Sequence, residues 1–404
     1  MKIALETLGC KLNQAETEIL ARQCSQAGHD LVKRVEDADI YILNTCTVTQ
    51  TADSKSRHLL RQARRRNHTA HIVVTGCYAD RAPLDLAKLE VVDLVSGNDG
   101  KLTLLERLKE DGYLTNAEPK PSVKVITTFR TRAFIKIQDG CQNYCAYCIV
   151  PYVRRIEKST TSDEVIKQVK QRVAEGYQEV VLTGTRIGSY DSKELQLKGL
   201  IERILSETKL PRLRLSSLQP QEISPELLGL WRNDRLCPHF HLSLQSGSNS
   251  VLKRMRRRYT AREYEKTVAL IRVMVPKVAI TTDVIVGFPG ETDEEFDESL
   301  DFCRRLNFAR IHVFPFSPRS GTEAAQMPGQ TPDKIKKERT KLMLSLAEES
   351  IQHFRNQFTG DEFDVLWEKQ TGQGVWSGVT GNYLRVYKKD NRDLSNKVSS
   401  VKMD

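Results

Sequence analysis

Three cysteines, Cys10, Cys46 and Cys77, each close a short apolar run, and the intervals between them, 36 and 31 residues, match one strand plus one crossover helix. The runs are KIALETLGC, ADIYILNTC and HIVVTGC. Between them lie AETEILARQCSQAG and a basic stretch from Ala52 to about Asn67, both with helical periodicity. This βαβαβ grammar requires a parallel sheet. A parallel sheet puts all three cysteines at the carboxyl ends of strands, the edge along which open α/β sheets bind ligands. A set dispersed in sequence is therefore expected to converge in space.

A second set is compact: Cys141, Cys145 and Cys148 in DGCQNYCAYC. Three thiolates can hold three corners of a metal cluster and leave one metal ion open, and an open iron can bind a substrate. Structural zinc takes four protein ligands in two pairs, and nothing close by completes this set, Cys237 and His239 being the nearest downstream. Two triads thus suggest two reactive metal centres, iron-sulfur at the compact one, although periodicity alone would also permit Cys10, Cys46 and Cys77 to be three buried structural cysteines. With no leader-like start and no apolar run of membrane-spanning length, the chain is expected in the cytoplasm and off the membrane. Clustered cysteines there are metal ligands before they are disulfides. Cys24, Cys237 and Cys303 read as small buried hydrophobes.

Polar residues, proline and glycine gather from Asp111 to Pro121, which reads as a linker. Beyond it, AFIKIQ, EVVLTG, RLRLSSL, HFHLSLQSG, AITTDVIVGFPG and ARIHVFPFS are strand candidates, each followed by a helical stretch. Six such units are too few for a closed eight-fold barrel and suit a curved partial one, with its site at the strands' carboxyl ends. A long helix from Pro332 to about Phe358 leads to FDVLWEK, GVWSGVTG and NYLRVYKK, which read as a small antiparallel β unit. The expected class is α/β, with domains at 1–118, 127–355 and 356–404.

The formal charge of +10 is concentrated at Lys55 to Arg66, Lys253 to Arg258 and Lys334 to Lys341. One such run is ordinarily a solvated helix face. Four arginines within 61–66 and four within 254–258 are expected to need a neutralising polyanion, nucleic acid foremost. Arg385, Lys388 and Lys389 beside Tyr383 and Tyr387 suit RNA contact, although aromatic residues of a small β unit are more often core.

The compact triad resembles that of the radical S-adenosylmethionine superfamily. The resemblance implies a [4Fe-4S] cluster that binds S-adenosylmethionine and cleaves it to a deoxyadenosyl radical, with Tyr147 near the adenine. Gly184 and Thr185 in LTGTRIGS, and Gly287 and Gly290 in DVIVGFPGET, are candidate cofactor contacts at strand ends, where a turn glycine is the commoner explanation of each. Further blocks, LGCKLNQAETE, NTCTVTQTADSKSR, TGCYA, DGCQNYCAYCIVPYVR, HLSLQSGS and HVFPFSPRSGTEAA, are similar to those of the methylthiotransferases over nearly the whole chain.

That resemblance implies a second [4Fe-4S] cluster on Cys10, Cys46 and Cys77, a TRAM-like C-terminal domain, and an electron donor such as flavodoxin or ferredoxin. The blocks after Cys10 and Cys46 look most like the branch acting on N6-threonylcarbamoyladenosine in tRNA. Other branches act on isopentenyladenosine in tRNA or on an aspartate of a ribosomal protein, and a non-catalytic iron-sulfur RNA-binding protein is the reading from outside the enzymes. One departure is Arg155, where the family usually has glycine after Pro-x-x-Arg. An arginine there excludes an unstrained positive φ, so a different local loop is expected.

Overall fold

The computed structural model describes residues 1–115 and 131–403. Residues 116–121 of the expected linker, and the domain limits placed at 118 and 127, lie outside the described residues. In the N-terminal part β1 (Lys2–Thr7), β2 (Asp30–Val32), β3 (Ile40–Thr45), β4 (His71–Gly76) and β5 (Leu94–Ser96) form a wholly parallel sheet in the order β2-β1-β3-β4-β5. Helices α1 (Lys11–Gln26), α2 (Gln50–Arg66) and α3 (Cys77–Arg81) follow β1, β3 and β4. The central strand β3 is buried along its whole length because both faces are covered. Tyr41 and Leu43 pack with Leu60 and Ala63 of α2, while Ile40 and Ile42 pack with Leu20 and Cys24 of α1.

All six strand candidates of the central part form. They are β6 (Arg132–Asp139), β8 (Glu179–Gly184), β9 (Arg212–Leu215) continued by β10 (Ser217–Leu218), β11 (His239–Leu242), β12 (Ala279–Val286) and β13 (Arg310–Pro315), with β7 (Lys158–Ser159) a short antiparallel edge on β6. The third strand breaks at Ser216, so β9 pairs with β8 whereas β10 pairs with β11. One partial barrel is therefore carried as two four-stranded sheets, β7-β6-β8-β9 and β10-β11-β12-β13. Outward residues such as Val180, Leu182, Leu213 and Ile280 join the surrounding helices in the largest core. Residues of opposite parity point inward and are largely polar, among them Arg132, Glu179, Arg214, His241 and Asp283. Ala15 of α1 packs on Phe134 and Val181, which share the inward parity, so a helix of the N-terminal sheet seats in the concave face of β6 and β8.

The long helix Asp333–Asn356 leads to β14 (Glu362–Gly372), β15 (Val375–Thr380), β16 (Arg385–Lys389) and β17 (Val398–Lys402), an antiparallel sheet in the order β16-β15-β14-β17. This sheet plugs the floor of the barrel. Arg214 donates to the carbonyls of Gly381 (2.9 Å) and Thr380 (3.2 Å), Arg212 donates to that of Val379 (3.3 Å), and Tyr383 stacks on His239 at 4.4 Å. Glu179, fully buried, lies 2.7 Å from Arg214 and 2.8 Å from Arg212. Burial alone would raise its carboxyl, but the two guanidiniums outweigh burial and hold it at about 2.

These contacts correct two expectations. Tyr383 is committed to the barrel floor rather than free to stack on RNA, and Arg385 is 2.5 Å from Glu368; Tyr387 is exposed beside Lys388 and Lys389. The expectation that all four arginines of 254–258 await a polyanion is narrowed, because Arg254 pairs with Glu295 and Arg256 with Glu323, each at 2.6 Å, and Arg257 turns inward, while Lys253 and Arg258 remain exposed. On α2, Arg64 is held by Asp93 at 2.6 Å, and Lys55, Arg61, Arg65 and Arg66 remain exposed. Cys24, Cys237 and Cys303 are buried, as read from the sequence. No helix among the described residues is long and apolar enough to cross a membrane.

Candidate active site between two cysteine triads

Strand register brings the N-terminal cysteines together. Thr7 pairs with Asn44 and Thr45 with Gly76, so the three strands end level and Cys10, Cys46 and Cys77 follow within one to three residues. Gly9 makes the approach possible: its φ is +102°, and a Cβ there would lie 2.6 Å from the Cβ of Cys46 and 2.9 Å from its Sγ. Burial pushes the Cys46 thiol up to about 12, and the nearby Cys10 and Cys77 add to the shift. Asn13 pins the strand ends by donating to the carbonyls of Leu8 and Thr45, both at 2.9 Å. Replacing Gly9 with alanine is expected to cost about half of the bound iron, because the added methyl drives Cys46 out of position while the second triad is untouched. Iron quantification of reconstituted protein checks this; undiminished iron would show that the triad tolerates the displacement.

Beside this triad lies a buried charge network. Glu16 of α1 accepts from Lys101 (2.6 Å), Lys136 (2.8 Å) and both terminal nitrogens of Arg154 (2.8 Å each); Arg154 also reaches Asp139 (2.8 Å) and Asn13 (2.9 Å). Three cations thus face two carboxylates, and the uncompensated positive charge stands next to Cys10 and Cys77, both electrostatic neighbours of Arg154. A group bearing net negative charge, as a cluster on three thiolates does, complements that excess.

The second triad sits in the loop after β6. Its backbone is fixed on both sides, Ala146 N–H donating to the Met255 carbonyl (3.1 Å) and the Ala146 carbonyl accepting from Ala324 N–H (2.8 Å). Burial pushes the Cys148 thiol up to about 12, with Cys145 and Cys141 raising it further. Arg257 lies 3.4 Å from the Cys145 sulfur and is braced by the Tyr259 hydroxyl at 3.0 Å. Among the described residues no three Cys, His, Asp or Glu side chains close on a point that would take a single metal ion. Each triad offers three thiols with a cation alongside, Arg154 at one and Arg257 at the other, a donor set of the kind that holds three corners of an iron-sulfur cluster.

A cavity of about 200 Å³ separates the triads. Val48 and Thr49, just past Cys46, form one wall; Tyr147 and Cys148 form another; Gln245, Asp283, Ile285 and Phe314 close it from the barrel. Cys77 packs against Ile149 and Val153, which directly follow Cys148. The wall is tied to the barrel where Gln50 N–H meets Ser317 Oγ at 3.1 Å and where Arg319 donates to Thr47 (2.9 Å) and to Asp53. Gln245 is buried with φ +72°, an uncommon conformation for a non-glycine residue, and its backbone is clamped to Asp283 and Ile285. Asp283 accepts from His241 at 3.1 Å.

The four other candidate contacts do not line this cavity. Gly184 permits close strand approach, since a Cβ there would stand 2.7 Å from the Gln138 carbonyl oxygen. The hydroxyl of Thr185 is buried without a hydrogen-bond partner among the described residues. Gly287 (φ +71°) and Gly290 (φ +72°) form a turn in which Gly287 N–H reaches Glu291 at 2.6 Å and Gly290 N–H reaches the Gly329 carbonyl at 2.8 Å. Arg155 does not have a positive φ, so the loop accepts it without backbone strain. Arg154, Arg257, Gln245 and Asp283 were missed as site residues; each is one polar residue in a longer block, with no spacing signal to separate it.

Two family models match: one described as "Uncharacterized protein family UPF0004" over residues 2–97, and the Radical SAM superfamily over residues 135–303. The chain is 37% identical to the threonylcarbamoyladenosine tRNA methylthiotransferase MtaB of Bacillus subtilis, covering 99% of this chain and 93% of the relative. It is 39% identical to the MtaB of Aquifex aeolicus, covering 98% of each. A tRNA-2-methylthio-N(6)-dimethylallyladenosine synthase of Moorella thermoacetica is 36% identical, covering 98% and 94%. Among solved structures, the radical S-adenosylmethionine methyltransferase TsrM of Kitasatospora setae, with cobalamin and a [4Fe-4S] cluster bound, shares the fold at TM-score 0.58 and 16% identity, over 80% of this chain and 77% of that one. With full-length relatives at this identity and a radical S-adenosylmethionine family match, the chain belongs to the radical S-adenosylmethionine methylthiotransferases.

Proposed function

We propose that this enzyme adds a methylthio group to carbon 2 of N6-threonylcarbamoyladenosine at position 37 of tRNA, in the cytoplasm, with electrons from a flavodoxin or ferredoxin. The observation that carries the reading is the full-length identity to MtaB proteins, supported by a cavity lined by Cys148 of one triad and by Val48 and Thr49, just past Cys46 of the other. A [4Fe-4S] cluster held by Cys141, Cys145 and Cys148 would supply the electron that cleaves S-adenosylmethionine, and a second held by Cys10, Cys46 and Cys77 would supply the sulfur. The units 1–118, 127–355 and 356–404 are then the sulfur-donating, cofactor-cleaving and TRAM-like parts.

The chain's own residues position and shield the substrate base. Tyr147, Ile149 and Phe314 give the cavity an apolar wall that excludes water from the reacting carbon, while Gln245 and Asp283 offer polar atoms to the base edge. The barrel interior favours an anionic substituent over a hydrocarbon one. Burial lowers the pKa of the Lys11 ammonium, which lies near Asp283 and makes no ion pair among the described residues; a threonyl carboxylate beside it would favour its charged form. Reconstituted enzyme offered anticodon stem-loops carrying the threonylcarbamoyl, isopentenyl or unmodified adenosine is expected to methylthiolate the first alone. Product on the isopentenyl stem-loop instead would overturn the substrate assignment.

A further inference from the structure

Outside the cavity, on the same face of the molecule, two aromatic residues are held in the open. Tyr144 and Tyr152 are 49% and 42% exposed, and their rings meet edge to face with centroids 6.1 Å apart. Neither hydroxyl has a hydrogen-bond partner among the described residues. Tyr144 also has φ +46°, a conformation that costs a bulky residue energy and persists only where the surroundings impose it. The two rings border a depression of about 440 Å³ shared with Ile149, Arg155 and Ser320. Ile149 also lines the cavity between the triads, so the two spaces lie on either side of one side chain.

The charge of this depression has one free end. Arg81 is engaged by Thr47 and Asp53, each at 2.8 Å. Arg155 is anchored by its Nε, which donates to the Tyr152 carbonyl at 3.0 Å, and its side chain is 68% exposed with only a 3.6 Å contact to Asp80. Its terminal nitrogens are thus presented to solvent beside the rings. Exposed aromatic faces next to a cation are the means by which proteins hold unpaired nucleotides: the base stacks and the cation meets the phosphate.

We propose that Tyr144, Tyr152 and Arg155 form a second nucleotide site, which stacks a base adjacent in the RNA to the target adenosine and binds its phosphate. This rests on the tRNA reading above and adds how the loop is held open: a neighbour stacked outside keeps the target unstacked and turned into the cavity. An aromatic pair built for a protein partner would instead be indifferent to RNA.

The test uses full-length reconstituted enzyme and an anticodon stem-loop with 2-aminopurine on the 5′ or the 3′ side of the target. Wild-type enzyme should change the fluorescence of one of the two probes. Tyr144→Asn, which keeps a residue tolerant of positive φ, and Tyr152→Ala should abolish that change and weaken binding about ten-fold each. Tyr152→Phe should retain both, which separates stacking from misfolding. Arg155→Gln should lower the slope of log affinity against log salt by about 0.7, one phosphate contact on a single strand. If wild type binds the stem-loop but both probes stay silent, or if the tyrosine variants bind as tightly as wild type, the second site is refuted. If wild type fails to bind the stem-loop at all, the tRNA reading itself fails.

Discussion

Alanine at Cys141, Cys145 and Cys148 is expected to abolish S-adenosylmethionine cleavage, whereas alanine at Cys10, Cys46 and Cys77 is expected to leave cleavage intact and remove methylthiolated RNA altogether. The triads belong to different sheets, each with its own backbone supports and its own cation, Arg154 at one and Arg257 at the other. Intact enzyme should hold about eight irons and either triple variant about four. Cys77 packs on Ile149 and Val153, where alanine removes only a sulfur. Loss of all iron from the N-terminal variant would mean that the sites are not independent.

A second large effect is expected from Arg154→Ala. The guanidinium is buried, bonds Glu16, Asp139 and Asn13, and joins α1 to the barrel. Its removal breaks the buried hydrogen bonds to Glu16, Asp139 and Asn13 that join α1 to the barrel, each charge-assisted bond contributing about 1.5–3 kcal/mol, although Lys101 and Lys136 still balance the two carboxylates. The effect should depend on pH in a definite sense. Burial would raise the Glu16 carboxyl, but Lys101 and Arg154 hold it well below the usual carboxylate range. The stabilisation is therefore fully present above about pH 4.5, the unfolded value, and is lost as pH falls further. Denaturant melts should show the wild-type advantage over the variant at neutral pH and its decline in acid; a constant difference would remove Glu16 from the explanation.

The elements that position the site were legible because their chemistry repeats. Three apolar runs each ending in cysteine specified β1, β3 and β4, and six runs at similar intervals specified the barrel. What was illegible lacks such periodicity. The strands β2 and β5 have three residues each, and β17 reads VSSVK, too polar to stand out, although it completes the last sheet by pairing with β14. The break at Ser216 is a tertiary event that leaves no mark on RLRLSSL. The run at 254–258 was only partly legible because a sequence shows crowded cations and not the acids folded against them, Glu295 and Glu323. Tyr383 was read with its chain neighbours, while its function is set by His239 and Arg214 far away in sequence.

The most direct measurement is mass-spectrometric nucleoside analysis of tRNA from cells lacking this protein. The 2-methylthio form of N6-threonylcarbamoyladenosine should be absent, its unmethylthiolated precursor should accumulate, and the wild-type gene should restore the product where a variant lacking Cys10, Cys46 and Cys77 does not. Normal levels of that nucleoside without any other enzyme to supply it, or a missing 2-methylthio isopentenyl nucleoside in its place, would contradict the assignment.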